Sequence, residues 1–175
     1  DVRSAFMPTH IALLRAVNVG GTGKLPMTEL KAMAQRIGFD DPRTYIASGN
    51  LVFESDLAGA EAGAKLEAAL AEYAGKPVGV IMRTPEAMKA VCDSNPFPEA
   101  PGNRCVVLFL DGPPPADLQD TLKHQASERV AAGQREIYTH YVDGMGRSKL
   151  VIPAARAGTA RNMNTVAKLV QMATG

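Results

Sequence analysis

The stretch RAVNVGGTGKLP, Arg15 to Pro26, gathers the parts of an anion site: three glycines, an arginine before them and a lysine after. An NTPase phosphate loop requires G-x-x-x-x-G-K-[ST]. With Gly23-Lys24 aligned on the motif's G-K, Asn18 stands where the first glycine belongs. Leu25 then stands where the magnesium-holding hydroxyl belongs. The dinucleotide pattern G-x-G-x-x-G fails too, because Leu25-Pro26 follows Gly21-x-Gly23. Pro26 has no N–H, which weakens a following helix as a phosphate cradle. Two accounts of the loop stand. One is a flexible turn between a strand and a helix, with Lys24 solvated. The other is an anion nest of backbone N–H groups, with Lys24 above it and Arg15 below on the strand.

A second group of donors lies near the C-terminus, in TARNMNTVAKLVQMA. Read as one helix capped by Thr159, this segment puts Arg161, Asn164, Thr165 and Lys168 on one face, and Met163, Val166, Val170 and Ala173 on the other as core. Arg161 and Asn162 then fall in the first turn, where free N–H groups favour an anion. From Gly144 onward there are five basic residues and no acidic one. This stripe is either a solvated helix face or a ligand site.

Other chemistry finds little support. There is no G-x-S-x-G elbow. His10, His124 and His140 fit no zinc spacing, so no metal is expected. Cys92 and Cys105 form no C-x-x-C pair and read as small buried hydrophobes. A fold could still bring Ser48 or Cys105 beside a histidine, which spacing does not reveal. No carboxylate pair stands out for acid–base work. The RRM signature is absent, and with 5% aromatics and no tryptophan, stacking platforms are scarce. Tyr45 and Phe53 fit core packing about as well as a sheet-face platform.

The chain has 175 residues, 46% hydrophobic and 21% charged, with a formal net charge of +1. That is globular composition without a strong field for nucleic acid or an anionic membrane. No apolar run approaches the roughly 18 residues that span a bilayer. The opening DVRSAFMPTH lacks a signal peptide's apolar stretch, so cytoplasmic residence is expected. Met7-Pro8 reads as a natural start, with Asp1 to Phe6 an upstream remnant.

The elements that must position these residues alternate in type. HIALLRAVNV reads as a buried strand, and PMTELKAMAQRIGF as a helix between Pro26 and Gly38. RTYIASGNLVFES reads as a hairpin turning at Ser48-Gly49-Asn50. Leu66, Ala69, Leu70 and Tyr73 mark a helix that ends at Gly75. KPVGVIMR is a strand, and TPEAMKAVCDS a short helix capped by Thr84. The proline-rich NPFPEAPGN reads as a linker. Beyond it, RCVVLFL is a strand, DGPPPADLQDTLKHQASERVAA a helix, REIYTHYV and RSKLVIP strands, and the last segment a helix. The first half is β-α-β-β-α-β, the ferredoxin-like split unit, and the second the same plan short of its last strand. The fold class is α+β: two small ferredoxin-like subdomains whose antiparallel sheets are each covered by helices on one face. The subdomains are expected at 7–98 and 99–175. A single mixed sheet across both halves is the alternative.

The segments ALLRAVNVGG, LPMTELKAMAQRIGF, RTYIASGNLVFES and GTARNMNTVAKL together resemble the bacterial domain-of-unknown-function 1697 family. The resemblance implies two ferredoxin-like subdomains and no particular reaction. Ala16 departs from the family's glycine, and Met163 from its aromatic between the two asparagines.

The segments supply Arg15, Asn18, Gly21 and Lys24, then Ser48 and Asn50, then Arg161, Asn162 and Asn164. These residues are expected to meet in an inter-subdomain cleft and hold a phosphate-bearing ligand: a nucleotide, a sugar phosphate or a nucleic-acid backbone. No cofactor is expected. An enzyme of unknown reaction using the same residues is the second reading, and a homodimer through exposed sheet edges the third.

Overall fold

The structure, a computed structural model, describes residues 7–15 and 24–174. Its contacts divide the chain into two compact units, residues 1–88 with 169–175, and residues 89–168.

The first unit contains β1 (Thr9–Leu14), α1 (Met27–Ile37), β2 (Asp40–Thr44), β3 (Asn50–Glu54), α2 (Gly59–Ala74) and β4 (Val80–Arg83). Its sheet runs β2-β3-β1-β4, every neighbour antiparallel. This is the split βαβ order: β3 lies between β1 and β2, and each helix carries the chain across one face. Ala12, Leu14, Leu51 and Phe53 project toward Leu30, Met33, Leu66 and Leu70 of the two helices. Phe39 stacks on Phe53 with ring centroids 3.9 Å apart. Each of the three fully buried leucines Leu30, Leu66 and Leu70 contributes about 2 kcal/mol by leaving water. The expected helix ends hold, since Gly38 (φ 104°) and Gly75 (φ 71°) occupy the left-handed region that stops a helix. Pro42 is tolerated because β2 is an edge strand with a register shift between Asp40 and Arg43.

The helix α3 (Pro85–Asp93) follows, with the Thr84 hydroxyl accepting from the Ala87 N–H as expected. The second unit continues with β5 (Cys105–Phe109), α4 (Leu118–Thr121), β6 (Arg129–Ala132), β7 (Glu136–His140), β8 (Thr159–Asn162) and α5 (Met163–Thr174), whose last residues return to the first unit. Its sheet runs β6-β7-β5-β8, again antiparallel throughout. The two halves therefore share one strand order.

Three local expectations fail in this unit. The long helix over residues 111–132 shrinks to α4. The chain leaves helical geometry at Leu122 (ψ 138°), and His124 takes a positive φ of 58°. RVAA, expected inside that helix, pairs with β7 as the edge strand β6. RSKLVIP forms no strand: Val151 makes an isolated bridge to Lys123, and a 3₁₀ turn follows over Pro153–Ala157. The strand missing from the expected plan is β8, taken from the first residues of the expected last helix.

β8 reaches β5 at a crowded point. A Cβ on Gly158 would lie 2.4 Å from the Phe109 carbonyl oxygen, a backbone atom of the central strand. Gly158→Ala is expected to destabilise the fold by about 1–3 kcal/mol through forced backbone displacement. Urea denaturation with an unchanged midpoint would contradict this packing.

Candidate functional site

The first cluster of expected site residues lies where β1 ends. The Leu14 N–H donates to the Gly49 carbonyl and the Arg15 N–H to the Gly79 carbonyl, both at 2.9 Å. β1 is thus clamped on one side by the hairpin turn and on the other by the chain entering β4. The half-buried Arg15 side chain crosses Gly79, with its Cδ 2.9 Å from where a Cβ would sit. Asn50 is fully buried. Its Nδ2 donates to the Tyr45 carbonyl at 2.8 Å and to Ser48 Oγ at 2.9 Å. Asn50 thereby fixes the turn, and Ser48 is held by it. Lys24 is exposed, directly before Leu25, which is buried in the core. Asn18 and Gly21, and with them the nest account of the glycine turn, lie outside the described residues.

The second cluster belongs to the second unit. Arg161 and Asn162 do not sit in the first turn of a helix. They are consecutive residues of β8, so their side chains leave opposite faces of the sheet. The one helical face expected to carry Arg161 with Asn164, Thr165 and Lys168 therefore does not form. In sequence the four-residue polar segment reads as part of the helix beyond it, and its pairing with β5 makes it a strand.

Arg161 stands opposite Val107 and is 5% exposed. Its Nη1 donates to Thr159 Oγ1 at 2.7 Å and to the Ala160 carbonyl at 2.9 Å. Burial pulls its guanidinium down to about 10 from the ordinary 12.5, because leaving water penalises the charged form. Asn162, in place of Thr159, caps α5: its Oδ1 accepts from the Thr165 N–H at 2.9 Å. Asn164 is exposed, its amide oxygen only 2.0 Å from the position a Cβ would take on Gly102. On the core side of α5, Val166 and Leu169 are fully buried, whereas Met163, Val170 and Ala173 are half-buried.

The fold also brings a cysteine beside a histidine. Cys105 and His140 are direct partners across β5 and β7, so their side chains share one face. Cys105 Sγ lies 3.7 Å from Asn95 Oδ1, and His140 Nδ1 is buried with no hydrogen-bond partner among the described residues. Burial pushes the Cys105 thiol up, the opposite of what activates a cysteine nucleophile. His10 is buried in β1, stacked on Phe53 and 3.1 Å from the Ser55 carbonyl by its Nε2, which is a core role. Among the described residues no group of three or more metal-ligating side chains gathers, and no helix is long and apolar enough to cross a membrane.

Sequence reasoning missed one polar hollow in the second unit, lined in part by Arg104, Glu128, Asp143 and Arg147. Arg104 ends the 3₁₀ turn before β5, Glu128 precedes β6, and Asp143 and Arg147 share the loop after β7, so no local motif links all four.

Comparison with known proteins adds the following. The family model described as a protein of unknown function, DUF1697, matches residues 7–138. Arg161, Asn162 and Asn164 lie beyond that matched range. A solved structure of a conserved bacterial protein from Streptococcus pneumoniae has the same fold, with a TM-score of 0.77 at 24% identity. The likeness covers 96% of this chain and 99% of that one. No curated protein matches the chain.

The capping role of Asn162 is directly testable. Asn162→Ala is expected to cost about 1 kcal/mol of stability, and Asn162→Asp to retain most of it. Equal denaturation midpoints for the two variants would remove the cap from the account.

Proposed function

The chain belongs to the DUF1697 family, and from that premise we propose that it binds a phosphate-bearing ligand: a nucleotide, a sugar phosphate or a nucleic-acid backbone. The observation that carries this reading is the clamped end of β1. Two backbone hydrogen bonds place Arg15, the Ser48–Asn50 turn and Gly79 together, at the point where the glycine-rich segment leaves the strand. Binding residues are disproportionately carried by loops that a rigid scaffold gathers at one place. Arg15 and Lys24 supply charge-assisted donors and Ser48 a hydroxyl that Asn50 orients, with Asn18 and Gly21 assigned to the same reading from the sequence alone. Arg161, Asn162 and Asn164 enter this reading as further donors, Arg161 from one face of β8 and Asn162 from the other. Both cysteines are free thiols, which suits the reducing cytoplasm that is part of this reading.

Titration calorimetry with inorganic pyrophosphate, ATP, a sugar phosphate and a short oligonucleotide tests the proposal. Binding is expected to weaken as salt rises, and Arg15→Ala to reduce it about tenfold or more, the loss of one charge-assisted contact. Arg161→Ala reports separately whether the second set of donors takes part in anion binding. If Arg15→Ala bound every one of these anions as wild type does, the reading would fall.

A further inference from the structure

A hollow of about 460 Å³ opens within the second unit, independent of the clamped strand end. At its floor Glu128 is 7% exposed. One carboxylate oxygen accepts from the Ala126 N–H at 2.6 Å, and the other accepts a short hydrogen bond from the Ser148 hydroxyl. Asp143 is held in the same manner, accepting from the Ser127 hydroxyl at 2.6 Å. Arg104 donates to the Val142 carbonyl at 3.0 Å, and both Arg104 and Arg147 are exposed at the wall.

The charges in this hollow are kept apart. The two acids are satisfied by hydroxyl and amide donors, which carry no formal charge. Among the described residues, neither arginine is ion-paired with either acid. Two positive and two negative groups therefore face one space without neutralising each other. The donors on Glu128 also hold its carboxyl below the usual carboxylate range, with Ser148 the larger cause and Ala126 the next. It is therefore ionised at neutral pH.

A simple anion in this space would meet Glu128 and Asp143, and a simple cation would meet two guanidiniums. A ligand with both signs satisfies all four. We propose that this hollow binds a zwitterion of amino-acid size, its ammonium at Glu128 and Asp143 and its carboxylate at Arg104 and Arg147. The volume leaves room for a side chain beyond the two charged groups.

The test is an amide-resolved NMR titration of the whole chain with the twenty standard amino acids, alongside propylamine, propionate and inorganic phosphate. At least one amino acid is expected to shift the amides of Ser127, Asp143 and Gly144 with a dissociation constant of about 1 mM or tighter. The three single-sign probes should leave them in place at the same concentration. Arg147→Ala, at an exposed position that leaves folding intact, should weaken that binding about tenfold, and Glu128→Gln likewise. Three results would each overturn the proposal. One is no response to any amino acid. Another is a response to propionate or phosphate as large as to the amino acids. The third is unchanged affinity in Arg147→Ala.

Discussion

Strands β1 and β5 are hydrogen-bonded along both edges and buried on both faces, and each unit is built outward from one of them. A central strand of this kind leaves no backbone donor or acceptor unspent except at its ends. That constraint decides where chemistry can occur. In the first unit, the N–H groups of Leu14 and Arg15 are the last to be spent. Their acceptors, Gly49 and Gly79, bring a hairpin turn and a second strand entry to the same place. Three distant chain segments meet there because the sheet must close its hydrogen bonds, with no motif required.

Much of this was legible in the sequence. The apolar run of β1, the positive-φ glycines ending α1 and α2, and the Ser48-Gly49-Asn50 turn each carry a local signal. Local physics and the final fold agree at those positions. The ferredoxin-like plan of the first half follows from them.

The second half resisted the same treatment because its strands are short and weakly patterned. RVAA and TARN have no period-two alternation of hydrophobicity, and their strand character comes from pairing with β7 and β5. RSKLVIP has better strand residues and forms only an isolated bridge. Tertiary pairing overrode propensity in each case. The same cause explains the misplacement of Arg161: assigned to a helix turn, it proved to lie on a strand, facing away from Asn162. The burial of Asn50 and the approach of Asn164 to Gly102 are likewise products of packing, with no counterpart in residue spacing.

The most direct test of the central claim is to map pyrophosphate binding by amide chemical shifts. The account predicts that the largest changes fall on Arg15, Ser48, Gly49 and Gly79, at the clamped end of β1. Saturable binding that leaves those four amides unmoved would contradict it.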